Sequence, residues 1–144
     1  MTTVKEILDK KGTAVVSAKK TDNVFDTARK MNEKRIGAVI VTEGEHVVGI
    51  FTERDILSRV VAAGRDPKTT KVGEAMTSPV ACCRRDTTVE ECRDVMSKKR
   101  IRHLPVVEDN KLLGIITSGD ILAREVTAHE ETIRYLHDYI YGPY

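Results

Sequence analysis

Two segments of the chain place a hydroxyl and a carboxylate at the same spacing: Thr52-Glu53-Arg54-Asp55 and Thr117-Ser118-Gly119-Asp120. Each follows an apolar run, Gly49-Ile50-Phe51 in one case and Gly114-Ile115-Ile116 in the other, and each continues into Ile-Leu. At a strand-to-helix junction such a pair has defined chemistry. The helix start leaves backbone N–H groups free and carries the positive end of the helix dipole. Phosphate fits there, with the Thr hydroxyl as a further donor. An ionised Asp only accepts, and its two oxygens match the vicinal 2′ and 3′ hydroxyls of a ribose. A hydrogen bond to a charged group is worth about 1.5–3 kcal/mol net, so the combination selects a ribonucleotide over its deoxy analogue. Asp is also an ordinary helix cap, but capping alone is not expected to make Thr and Asp recur together.

The elements that must position these residues are themselves repeated. The register holds without a gap from Val24/Val89, through Met31/Met96 and Lys34-Arg35-Ile36/Lys99-Arg100-Ile101, to Leu57/Leu122. Each unit is too small to bury a good core alone, so the two are expected to pack on each other. In the first unit Val4–Leu8 reads as a helical turn and Thr13–Ser17 as a strand. Asp22 or Thr21 caps a helix over Val24–Lys34, and Gly37–Thr42 and His46–Phe51 form a hairpin turned at Gly44-Glu45. A helix over Glu53–Ala63 ends at Gly64 and Pro67. The second unit repeats this: a helix at Val72–Met76, a strand at Val80–Cys82, and a helix capped by Thr87 or Thr88 and reaching Lys99. A hairpin of Arg102–Val107 and Leu112–Thr117 turns at Asp109-Asn110, and Ser118 opens another helix. The expected fold is α+β, each unit β-α-β-β-α, divided as residues 1–66, 67–126 and a helical tail 127–144.

The 144 residues are 40% hydrophobic and 32% charged, with a formal net charge of +2. Basic and acidic residues are interspersed, which argues against a specific nucleic-acid partner. No apolar run approaches membrane-spanning length, and Met1–Glu6 lacks a signal-peptide apolar core. Three cysteines, Cys82, Cys83 and Cys92, cannot all pair within the chain. A reducing cytoplasm is the expected location, with the thiols acting as small buried residues rather than redox sensors. No His or Cys spacing indicates a metal site, and no catalytic triad order is present.

The two Gly-apolar-apolar-Thr-x-x-Asp-Ile-Leu segments, with Arg100-Ile101-Arg102-His103-Leu104-Pro105-Val106-Val107, resemble the cystathionine-beta-synthase (CBS) domain family. The likeness spans Val4–Val126. It implies tandem CBS domains packed by their sheets as a Bateman module, standing alone, with an extra C-terminal helix. It implies adenine in an apolar slot near each unit's first strand. The slot would use Thr13, Ala14 and Val15 with walls from Ile36 and Ile50, or Ser78, Pro79 and Val80 with walls from Ile101 and Ile115. Thr52, Asp55, Thr117 and Asp120 would hold ribose. Arg102 and His103 fall where family members carry phosphate-contacting side chains. Their counterparts, Gly37 and Ala38, depart from that pattern, and Arg35 beside Lys34 is the expected substitute. Arg54 adds a cation only at the first motif, Gly119 being its counterpart, so the sites are unequal. Lys98-Lys99-Arg100 and Arg84-Arg85 are expected to be solvated.

From Leu122 through Val126, His129, Ile133, Leu136 and Ile140 a heptad-like seam runs into a tyrosine-rich end, which fits subunit contact. The expected function is a non-enzymatic regulatory protein that binds AMP, ADP or ATP, or alternatively NADH or S-adenosylmethionine. It would act as a homodimer that transmits occupancy to a regulated protein partner. The competing reading is an interaction module with degenerate sites.

Overall fold

A computed structural model describes residues 2–141. In chain order the elements are α1 (Val4–Lys11), β1 (Ser17–Ala18), α2 (Val24–Lys34), β2 (Ala38–Glu43), β3 (His46–Thr52) and α3 (Glu53–Asp55), which runs on as π-helical turns over Ile56–Val61. The second unit has α4 (Val72–Ala75), α5 (Val89–Lys99), β4 (His103–Glu108), β5 (Lys111–Thr117) and α6 (Ser118–Tyr141). The α+β class and the repeated order hold. Asn23, rather than Thr21 or Asp22, caps α2 by accepting from the Asp26 N–H at 3.0 Å. Asp22 is already engaged as acceptor for the Lys19 N–H at 2.9 Å. Thr88 caps α5.

The first sheet runs β1-β2-β3, β1 parallel to β2 and β2 antiparallel to β3. The second has only β4 and β5, antiparallel. The strand expected at Val80–Cys82 is reduced to a single parallel bridge between Cys83 and Val106. The reason is Pro105. At the equivalent place in the first unit the Ile40 N–H donates to the Val16 carbonyl at 3.2 Å; proline has no N–H to donate to Ala81. The strand expected at Thr13–Ser17 is likewise confined to Ser17–Ala18, and Thr13 and Ala14 are exposed.

The leading helices are exchanged between the units. α1 is stitched to the second unit by Val4 N–H to Thr87 carbonyl, Lys5 N–H to Arg85 carbonyl and Val89 N–H to Thr2 carbonyl, all at 2.9 Å. α4 makes the matching bonds to the first unit: Val72 N–H to Asp22, Gly73 N–H to Lys20 and Val24 N–H to Thr70. Accordingly Val4, Ile7 and Leu8 share a core with Val89, Cys92, Met96, Leu104 and Ile116, while Val72 and Ala75 share one with Val24, Phe51 and Val60. Packing therefore crosses the 66/67 division that follows the sequence repeat. Two glycines permit it: a Cβ on Gly114 would collide with Leu8, and one on Gly49 with Met76. A third cluster, Ala38, Ile40 and Ile50 with Val15, Val80, Leu112 and Ile115, joins the two sheets.

Cys83 and Cys92 are buried in the second core and Cys82 is exposed; all three are free. A hydrogen bond with Cys92, together with burial, pushes the Cys83 thiol far above its usual range. Among the described residues no helix is long and apolar enough to cross a membrane.

Candidate functional site

The junction between β3 and α3 is built by a reciprocal capping box. The Asp55 N–H donates to Thr52 Oγ1 at 3.2 Å, and the Thr52 N–H donates to Asp55 Oδ2 at 3.0 Å. The β5–α6 junction repeats it, with Asp120 N–H to Thr117 Oγ1 at 3.1 Å and Thr117 N–H to Asp120 Oδ2 at 2.8 Å. Two orphan donors of each helix start are thus satisfied together. Contrary to the expectation from sequence, capping does account for the joint recurrence of Thr and Asp, because the box needs both at this spacing.

The two carboxylates have different surroundings. Asp55 is 6% exposed. Its Oδ2 also accepts the Thr52 hydroxyl at 3.2 Å, and its Oδ1 accepts the Thr77 hydroxyl at 2.9 Å. Arg59 Nε lies 3.8 Å from Oδ1. The Thr77 hydroxyl is a neutral partner that turns about a single bond. On Asp120 the extra partner is Lys11, whose Nζ donates to Oδ2 at 2.8 Å and to the Ile115 carbonyl at 2.9 Å.

One cleft of ≈ 590 Å³ lies between the units. Ile50, Thr52, Arg54 and Asp55 enter from the first; Pro79, Val80, Ile101, Arg102 and His103 enter from the second. The slot is crossed. In the cleft Ile50 meets Pro79, Val80 and Ile101; of the expected set, Thr13, Ala14 and Ile36 do not line it, and Val15 packs in the inter-sheet cluster that contains Ile50. The end of β3 bridges residue 77, with Ile50 N–H to Thr77 carbonyl at 3.0 Å and the return bond at 2.8 Å. That bridge brings the 77–81 segment against the first motif. Arg35 and Ile36 line a separate, shallower cavity with Gly37 and Glu53. Arg35 is the left-handed cap of α2, as Arg100 is of α5. Ile115 lies in the inter-sheet cluster, Ser78 is exposed, and Thr117 and Asp120 form the second junction.

Six lining residues were not foreseen as site residues: Gly37, Glu53, Thr77, Ala81, Lys99 and Arg100. Lys99 and Arg100, expected to be solvated, border the cleft beside Arg102; their position directly before Ile101-Arg102-His103 was the available signal. Thr77 holds Asp55. Glu53 stands over Gly37, where a Cβ would collide with its Oε1. The replacement of Arg102 by Gly37 in the first unit therefore leaves room for an acid. Burial pushes the His103 imidazole below its ordinary value, and Arg102 acts the same way, opposed by Glu53. His103 is therefore neutral near pH 7, a hydrogen-bonding group that becomes a cation only when an anion is bound or the pH falls.

The cleft thus combines a polar helix start, an apolar slot and a basic rim. A profile of the CBS domain matches residues 4–62 and again 72–126. The chain belongs to the CBS domain family. The mitochondrial CBS domain-containing protein CBSX3 of Arabidopsis thaliana is 32% identical over 99% of this chain and 74% of its own length. The solved CBS-domain containing protein of Agrobacterium tumefaciens is 37% identical with a TM-score of 0.81, over 86% of this chain and 99% of that one. A CBS domain pair solved in complex with 5′-methylthioadenosine and S-adenosyl-L-methionine has a TM-score of 0.75 and 28% identity, over 85% of this chain and 98% of its own. Exchanged leading helices and a crossed cleft are therefore the form in which this chain builds its CBS pair.

Proposed function

We propose that this CBS pair is a regulatory, non-catalytic protein that binds an adenosine ribonucleotide in the cleft between its units. The observation that carries the reading is the convergence on one cavity of a Thr52/Asp55 helix start, the apolar slot of Ile50, Pro79, Val80 and Ile101, and the basic rim of Lys99, Arg100, Arg102 and His103. Its volume lies within the roughly 300–1,000 Å³ of ordinary small-molecule sites. Adenine enters the slot, Asp55 takes the ribose hydroxyls, and the rim takes phosphate. The structural neighbour with two adenosine-derived ligands supports an adenosyl ligand. AMP, ADP and ATP suit the rim best; NADH and S-adenosylmethionine are the remaining members of the set.

Occupancy is passed on by population shift, the ligand favouring the arrangement of units that closes on it. Leu57 and Leu122, equivalent residues 63% and 59% exposed, and Val61 at 64%, support self-association into a homodimer through these helices. Three free thiols support a reducing compartment, the cytoplasm. Calorimetric titration with AMP, ADP, ATP, NADH and S-adenosylmethionine tests the reading. Micromolar to millimolar binding of at least one is expected. No heat and no thermal shift at millimolar concentration for any of them would leave the interaction module in its place.

A further inference from the structure

The two halves of the repeat differ in length at one place. Leu8 packs on Gly114 as Met76 packs on Gly49, which equates residues 8 and 76, 68 positions apart. From Val24/Val89 onward the units are 65 positions apart. The first unit therefore carries three additional residues between its leading helix and its first strand. They extend the helix: α1 runs three residues past Leu8 to Lys11, whereas Met76, the equivalent of Leu8, is already the C-cap of α4. The final residue of that extension is Lys11. Because α1 is exchanged onto the second unit, the extra length delivers the Lys11 ammonium to Asp120 Oδ2 at 2.8 Å and the Ile115 carbonyl at 2.9 Å.

We propose that Lys11 is a built-in occupant that closes the Asp120 motif, so that the chain binds nucleotide only at the Asp55 cleft. This rests on the proposed function and names its stoichiometry. The contrast between the two carboxylates carries it. The Thr77 hydroxyl on Asp55 is neutral and turns about one bond, and the cation nearby, Arg59, stays 3.8 Å from Oδ1 while its guanidinium donates to the Met76 carbonyl at 2.6 Å. Lys11 is a full charge held by two acceptors, and both partners of the ion pair are largely withdrawn from water, at 30% and 21% side-chain exposure. Ribose hydroxyls arriving at Asp120 would have to displace a charge-assisted bond and leave the ammonium facing the slot without its counter-ion.

The test uses the full chain with AMP as probe, counting sites by calorimetry on wild type, Lys11→Ala, Lys11→Arg and Asp120→Asn, with circular dichroism to verify folding. Wild type and Asp120→Asn are expected to bind the same number of AMP molecules per chain. Lys11→Ala should gain one site, Lys11→Arg should gain none, and the Lys11→Ala/Asp120→Asn double variant should lose the gain. A wild-type site abolished by Asp120→Asn overturns the proposal, as does a folded Lys11→Ala variant with no added site. Should wild type bind no AMP at all, the proposed function fails, while the gain in Lys11→Ala remains readable and decides this proposal separately.

Discussion

At the scale of single residues, Asp55 has two duties that pull on the same mutation. It completes the capping box and anchors Thr77, so Asp55→Ala is expected to destabilise the fold by about 1–3 kcal/mol in denaturant titration, in line with loss of a cap and of bonds to a buried charge. Asp55→Asn keeps one acceptor oxygen and is the better probe of ribose. It should erase discrimination between AMP and 2′-deoxy-AMP while costing less stability. His103 sets the pH response. Its folded-state pKa is lowered, so bound phosphate, which favours the cation, is expected to bind tighter as pH falls from 7.5 to 6.5, above the second phosphate pKa of about 6. The gain cannot exceed about tenfold per pH unit, the limit for one proton. Adenosine binding should not follow, and His103→Gln should flatten the AMP profile. Stability has the opposite sign. A lowered imidazole pKa contributes nothing adverse above the unfolded value of about 6.5, and the folded state loses stability as pH drops below it, because the unfolded chain takes the proton first. Arg102→Ala should weaken AMP more than adenosine in the same titration; equal loss would indicate packing damage.

At the scale of elements, the glycines Gly49 and Gly114 set how closely the exchanged helices approach the strands. Gly114→Ala drives a methyl into Leu8 and is expected to cost about 1–3 kcal/mol, the usual penalty of overpacking. Leu8→Ala alone leaves a cavity. The double variant should recover part of the Gly114→Ala loss, and a thermal-melt double-mutant cycle measures that coupling. Simple additivity would mean that Leu8 does not press on the strand. The exchange was not legible in the sequence. Val4–Leu8 and Val72–Met76 are visible as apolar helical turns, but each would satisfy its spacing equally well on either unit. The choice is made by backbone bonds from Val4 and Lys5 to the 85–87 segment, which no local pattern encodes.

At the scale of the whole molecule, α1 belongs energetically to the unit that follows it by about 70 residues. Deleting residues 1–11 should strip amide-exchange protection from β4 and β5 while leaving β2 and β3 protected; uniform loss would indicate one indivisible core. The helical course of α6 to Tyr141 agrees with the expected tail. Of the heptad-like seam, Leu122 and Ile133 are exposed, and the side chains of Val126, His129, Leu136 and Ile140 lie outside the described residues. Truncation after Val126 is expected to loosen a homodimer in light scattering without removing the Asp55 cleft.

The sequence by itself determined the repeated α+β order, the two Thr-x-x-Asp junctions, the inequality of the two motifs and the membership of the CBS family. These are read within short windows, where periodicity, turn chemistry and side-chain type act locally. Only the tertiary structure decided that the cleft is lined from both units, that Lys99, Arg100 and Glu53 border it, and that Lys11 sits on Asp120. Each of those depends on how two nearly equivalent surfaces meet. A duplicated sequence is degenerate on that point, and long-range packing resolves it.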